Sequence, residues 1–291
     1  MRPQLFPRDA GLALRMVLAA VVTPLVVLAA LAAIVLLASA KIVVFVAIAA
    51  VIGIFMTLTE RARVRAARGG LGSAPPELAA TVERLCLAGD LPKPEVVVNA
   101  ERQPNSWVMW MGRGRYRLHV TEGLFDALTP VELEAVVAHE LSHVAHHDAA
   151  VMTVVGGPGA VLLQGGSKIA RGWPMAIGGL TAMAVGWLGS VGGRILSRYR
   201  EFAADAGAVA LTGNPAALAS ALTKVSDGLV AIPSRDLRAV AARDAFHLLP
   251  VVPRGEYKLP ATHPPLRARI ERLQRMEASL QSARPAVRLD D

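Results

Sequence analysis

Two uncharged apolar runs lie back to back near the start of this chain, residues 16–40 and 42–59, and only Lys41 separates them. Each is long enough to cross roughly 30 Å of hydrocarbon as a helix. Inside a bilayer each backbone N–H and C=O must be satisfied within the protein, which leaves such a run the helical form. The two runs predict a tight helical hairpin. Ala38-Ser39-Ala40 resembles the cleavage site of a secretory signal. The first run exceeds a signal core, however, and a second follows at once, which favours the hairpin. Arg2, Arg8 and Arg15 precede it, and Arg61, Arg63, Arg65 and Arg68 follow it. The positive-inside rule then puts both ends in the cytoplasm and residue 41 outside.

Apolar residues make up 53% of the 291 and aromatic residues only 4%, which suits apolar helices and not an aromatic-rich barrel. The formal charge is +8, but many of the arginines flank apolar runs. They read as topology signal and headgroup contact, so membrane lipids are an expected partner. No nucleic-acid reader motif accompanies the charge, and nucleic acid is not expected. Cys86 is the one cysteine, so no internal disulfide can form. Two weaker apolar stretches lie at about 149–165 and 173–193. They are rich in glycine, which permits close helix packing in membranes, and the first is broken by Pro158. Both readings stay open for this pair: two crossings, or a buried pair that does not cross.

Two segments have ordinary globular composition, 74–148 and 198–291. Pro75-Pro76-Glu77 opens a helix that stops at Gly89, and residues 95–99 read as a strand. Residues 106–111 and 115–121 read as a hairpin turning at Gly112-Arg113-Gly114. Thr129-Pro130-Val131-Glu132 is a strong helix start. Thr129 suits the N-cap, Pro130 the first helical position, and Glu132 closes a capping box. The second segment predicts helices over about 197–212, after Asn214-Pro215, after Ser234 and after Pro264-Pro265. The chain thus divides into a membrane hairpin (1–72), a first globular part (73–148), a glycine-rich apolar pair (149–193) and a second globular part (194–291).

The helix opened at Thr129 carries His139-Glu140-Leu141-Ser142-His143. Residues four apart share one helical face, so the two imidazoles can close on one zinc ion at about 2.0–2.1 Å each. Glu140 is turned about 100° from His139, which puts it beside the metal without ligating it. There it can take a proton from an activated water and pass it to a leaving amine. A chance match somewhere in a chain of this composition is on the order of one in a hundred. Zinc needs a third protein ligand and one open position. His146 shares the face, but seven residues of helix rise about 10.5 Å, too far for one ion. Asp148 is further still. Glu201 is the best candidate elsewhere, with Asp205 one turn on, on the same face. By spacing alone the two also fit the wet side of an amphipathic helix. His119, His146, His147 and His247 read as structural or surface residues.

Taken with the hairpin, the block from Glu132 to His143, Glu201-Phe202-Ala203-Ala204-Asp205 and Thr262-His263-Pro264-Pro265-Leu266-Arg267-Ala268-Arg269-Ile270, the sequence resembles the HtpX family of membrane-bound zinc metallopeptidases, relatives of the CAAX prenyl proteases. The resemblance spans almost the whole chain. It implies an α+β, mainly helical zincin-like metallopeptidase domain with a small β-sheet, plus two to four transmembrane helices. It implies one zinc per chain on His139, His143 and Glu201, with Glu140 as general base and Asp205 behind a ligand. His263 or Arg269 would donate to the oxyanion. It further implies polypeptide substrates, membrane-protein quality control and cleavage on the cytoplasmic side of the cell (inner) membrane. Family members commonly show Asn-Ala-Phe before the hairpin, whereas here Asn105 is followed by Ser106 and Trp107. Asn105, Ser106, Trp107 and Val108 form a candidate edge strand on which an extended peptide could pair. The competing reading is a zincin-like membrane receptor or chaperone without turnover. The oligomeric state is open.

Overall fold

The computed structural model describes residues 10–66, 71–171, 175–231 and 263–283. The chain divides into two compact units. One holds Gly72–His147 and the described residues from Arg200 on, and the other holds residues up to Leu71 together with Asp148–Tyr199.

In the first unit, helix α3 (Pro76–Gly89) begins on the expected prolines and ends at Asp90, whose φ of 53° gives a left-handed stop. Strands β1 (Leu71–Ser73), β2 (Glu95–Asn99), β3 (Ser106–Gly112) and β4 (Arg115–Thr121) form one sheet in the order β1-β2-β4-β3. β2 runs parallel to β4, and β3 pairs antiparallel with β4 with Ser106 opposite Val120. The hairpin turns where Gly112 and Gly114 take φ of 87° and 71°, a backbone region that costs glycine least. β3 lies at the margin of the sheet, so among the described residues one side of its backbone has no partner strand.

A short helix α4 (Glu122–Ala127) leads to α5 (Pro130–Ala145). The expected capping box is present: Thr129 N donates to Glu132 Oε2 at 2.8 Å, and Glu132 N donates to Thr129 Oγ1 at 3.4 Å. Glu132 also accepts from Ser220 Oγ at 2.6 Å and from Lys224 Nζ at 2.8 Å. Both partners sit on α8 (Pro215–Ala231), itself capped by Asn214, whose Oδ1 accepts from Ala217 N. Helix α9 (Leu266–Ala283) follows Pro264-Pro265 as expected. The core joins Val82 and Leu85 of α3, Leu118 of β4, Val136 and Leu141 of α5, Leu222 of α8 and Leu273 of α9. The expected helix at Ser234, and His247, lie outside the described residues.

The second unit contains helices α1 (Ala10–Leu37), α2 (Ala40–Ala66), α6 (Asp148–Ile169) and the first part of α7 (Ala176–Thr212). All four are long and apolar enough to cross a membrane. Leu14, Val21, Leu28, Val51 and Phe55 are each more than half exposed. A row of bare apolar side chains on both hairpin helices is what lipid, not water, would cover. Two expectations change here. Pro158 does not break α6, which runs through it; in a membrane helix neighbouring groups re-satisfy the freed carbonyl. The apolar stretch from Ala176 on and the helix near 197–212 are one helix, because nothing between them caps or stops it. Glycine acts here through close approach. A Cβ at Gly165 would collide with the Ala49 carbonyl, and one at Gly186 would meet the Gly159 carbonyl oxygen at 2.8 Å.

Candidate active site

Three elements of the first unit converge on the face of α5 that carries His139 and His143. His139 Nε2 and His143 Nε2 stand 3.2 Å apart with their rings at 89°. Glu201, on the length of α7 beyond its apolar stretch, puts Oε2 3.6 Å from His139 Nε2 and Oε1 3.7 Å from His143 Nε2. One ligand atom from each of the three residues lies within 4.8 Å of the others, a group that could hold a metal ion.

The donor set fits zinc by its own geometry. Two nitrogens about 2.0–2.1 Å from one tetrahedral centre lie roughly 3.3 Å from each other, close to the spacing found. Glu201 Oε2 is buried, and among the described residues no hydrogen bond reaches it. The Arg269 guanidinium stands 3.2 Å from it without meeting hydrogen-bond geometry, so the oxygen keeps a lone pair to offer a metal.

Behind the ligands sits Asp205, fully buried. His139 Nδ1 lies 3.1 Å from its Oδ1. That contact assigns the Nδ1 proton to Asp205 and turns the Nε2 lone pair toward the ligand group. Arg269 Nη2 also lies 3.5 Å from His139 Nδ1, but both would be donors there, so the shorter contact to the carboxylate decides the tautomer. Arg269 donates to Asp205 through Nη2 at 2.7 Å and Nε at 2.9 Å. Its Nη1 stands 3.2 Å from Glu201 Oε2. His263, just before α9, brings Nδ1 to 3.5 Å from Glu201 Oε1. His146 is not part of the group. It caps the end of α5, with its ring against the Ser142 carbonyl at 2.8 Å.

Glu140 is almost fully buried and accepts from Ser106 Oγ at 2.8 Å. Burial raises its carboxyl above the ordinary range, and His143, His139 and Ser106 oppose the rise. Burial alone would lower His139, but Asp205 and then Glu201 outweigh it and raise the ring to about 9. Burial would raise Glu201, yet His263, His139 and Arg269 hold it well below the carboxylate range. The structure therefore sets one raised carboxyl beside one carboxylate held well below the ordinary range.

Of the other strand residues, Asn105 is buried with its carbonyl accepting from Thr121 N at 3.0 Å. Trp107 stacks on His119 with ring centroids 4.7 Å apart. Val108 joins the core beneath α5. His119 also meets Asn99 Oδ1 at 3.0 Å, and His147 meets the Tyr116 hydroxyl at 2.9 Å, which accounts for both as structural residues. The sequence did not announce two contacts, Ser106 to Glu140 and Arg269 to both carboxylates. No spacing rule links residues so far apart.

The sequence profile of peptidase family M48 matches residues 73–277. A "Protease HtpX homolog" of Moorella thermoacetica is 37% identical, covering 95% of this chain and 98% of that one. "Protease HtpX homolog 2" of Methanosarcina acetivorans is also 37% identical, over 72% of this chain and 75% of its own length. Among solved structures, Ste24p of S. mikatae shares the fold with a TM-score of 0.51 at 17% identity. The match covers 87% of this chain and 66% of Ste24p, just under two thirds of its length. With a profile match over most of its length and these HtpX relatives, the chain belongs to peptidase family M48 as a membrane metallopeptidase of the HtpX group.

Proposed function

We propose that this protein is a zinc-dependent endopeptidase that cleaves membrane or misfolded proteins at the cytoplasmic face of the cell (inner) membrane. The observation that carries the reading is the buried Glu140 beside a His139–His143–Glu201 group of ligand spacing. Zinc held by those three residues would make a water acidic enough to be deprotonated near neutral pH. Glu140 takes the proton as the water oxygen bonds to the scissile carbonyl carbon. It returns that proton to the amine nitrogen as the C–N bond breaks. The carbonyl oxygen gains negative charge in the same step. His263 or Arg269 would donate to it; both stand beside Glu201. The free margin of β3 supports binding of an extended polypeptide alongside Ser106–Val108.

Orientation follows from the ligand group. His139, His143 and Glu201 share one site, so they lie on one side of the bilayer. The stretch between them, including α6 and the apolar part of α7, therefore crosses twice or not at all. Its length and apolar character support two crossings. The arginines that flank the first hairpin support a cytoplasmic site.

The test is Glu140→Gln in the full chain. The variant should retain zinc, because Glu140 is not a ligand, and lose casein cleavage by at least a hundredfold, on the order of one general-base contribution. Near-normal cleavage with zinc bound refutes the role and favours a receptor or chaperone without turnover.

A further inference from the structure

Ser106 and Glu140 meet across 34 positions of sequence, and both are almost free of solvent. We propose that Ser106 is a positioning residue for Glu140: its hydroxyl holds one carboxylate oxygen, Oε1, and leaves Oε2 to exchange the reacting proton. The inference rests on the reading of Glu140 as the general base.

Three features carry it. Ser106 is itself fixed. Its N–H donates to Asn105 Oδ1 at 2.9 Å, and it pairs with Val120 in the β3–β4 ladder. Asn105 N donates to Thr121 Oγ1 at 2.9 Å, so the strand is pinned where Ser106 begins it. The hydroxyl thus has one rotatable bond between a rigid strand and the carboxylate. Glu140, by contrast, has a long side chain with three rotatable bonds. Its helix neighbours Val136, Val137, Leu141 and Val144 are apolar and offer it no donor. Among the described residues the hydrogen bond to Glu140 comes from Ser106. Lastly, a serine buried to 1% exposure is costly unless its hydroxyl is used, and the use found here is the 2.8 Å bond to Glu140.

A general base must be held within a fraction of an ångström of its working geometry. Ser106 does this without touching substrate through its side chain. Its loss should therefore lower kcat and leave KM alone, whereas a serine whose job is peptide pairing would move KM.

The test compares wild type, S106A, S106T and E140Q as full-length, zinc-loaded protein in detergent, with an internally quenched peptide as substrate. S106A is expected to lose about tenfold in kcat, the loss of one hydrogen bond to a charged group. KM should stay within twofold, and bound zinc and melting temperature should match wild type. S106T, which restores a hydroxyl, should regain most of the loss. S106A decides by itself, since it removes one buried oxygen and adds no bulk. A kcat within twofold of wild type overturns the proposal, as does a loss confined to KM. An S106T that keeps its zinc and melting point yet stays as slow as S106A overturns it too. If wild type does not cleave, or E140Q cleaves as well as wild type, the peptidase reading itself fails. If wild type cleaves, E140Q does not and S106A is unchanged, only the role of Ser106 fails.

Discussion

Asp205→Asn is the sharpest probe of how the ligand group is held. Asp205 is fully buried and carries three contacts at once: Arg269 Nη2 at 2.7 Å, Arg269 Nε at 2.9 Å and His139 Nδ1 at 3.1 Å. Asparagine keeps the shape but has one acceptor oxygen where aspartate has two. Whichever way the amide turns, its NH2 faces a donor: Arg269 Nε–H in one orientation, Arg269 Nη2–H together with His139 Nδ1–H in the other. At least one charge-assisted hydrogen bond is lost, worth about 1.5–3 kcal/mol. In either orientation His139 also loses the full carboxylate charge on which its basicity depends. Removing such an outer partner weakens metal binding by roughly ten- to a hundredfold. The two figures agree, since about 1.4 kcal/mol is one decade.

Zinc affinity is read by competition with a chromophoric chelator in detergent, and stability by melting temperature with and without added zinc. The variant should bind zinc about ten- to a hundredfold more weakly and recover much of its activity when zinc is supplied in excess. Asp205→Ala should do worse, because it takes from the buried Arg269 the carboxylate it donates to twice; breaking a buried pair in this way costs about 3–5 kcal/mol. An asparagine variant with zinc affinity within twofold of wild type would refute the account of Asp205.

Three further outcomes follow from the same structure. Glu201→Ala should lower zinc affinity at least a hundredfold, whereas His146→Ala, which removes only a ring lying against the end of α5, should change it less than twofold; equilibrium dialysis of both variants decides. Burial would raise the Glu132 carboxyl, but Lys224, Ser220 and Thr129 hold it near 2, against about 4.5 when unfolded. Its contribution is then fully present above about 4.5 and is lost as pH falls toward 2, so Glu132→Gln should melt lower at neutral pH, by about 1–2 kcal/mol of stability, and converge on wild type in acid. For topology, single cysteines at exposed positions 41, 168 and 282 in a Cys86→Ser background should label from outside intact cells at 41 and 168 and not at 282; labelling at 282 overturns the cytoplasmic assignment.

What was legible in the sequence was local. The start of α5 could be read from Thr129, Pro130 and Glu132 because a capping box is written within four residues. The β3–β4 hairpin could be read from Gly112 and Gly114 because positive φ selects glycine. The facing of His139 and His143 follows from helical period alone. The continuity of α7 was hidden because composition changes near Arg194 from glycine-rich and apolar to charged, so the two parts read as separate elements. In place, Gly192 sits where a Cβ would press on Thr23 Oγ1, so packing against α1 makes the small residue useful. The partners of Arg269 were hidden for another reason: 64 positions separate it from Asp205, and no periodicity spans that distance.

The charge balance of the site joins these strands. Glu140, Glu201 and Asp205 bring three buried carboxyl groups together, and Arg269 is the one buried guanidinium among them in the described residues. If all three ionise, two negative charges remain uncompensated in a place of low dielectric, which folding alone does not tolerate. The structure meets that excess in three ways at once. Burial raises Glu140 and so favours its proton. Asp205 and Glu201 draw a proton onto His139, which stands near 9. Arg269 Nη1 approaches Glu201 Oε2 to 3.2 Å but makes no hydrogen bond there, which leaves that oxygen a lone pair to offer a metal. A divalent ion between His139, His143 and Glu201 would satisfy the same demand without borrowing a proton from His139, and would let Glu140 ionise. Metal binding and activation of the base would then be one electrostatic event. A fit between ligand spacing and charge deficit is what a surface helix with two stray histidines would lack.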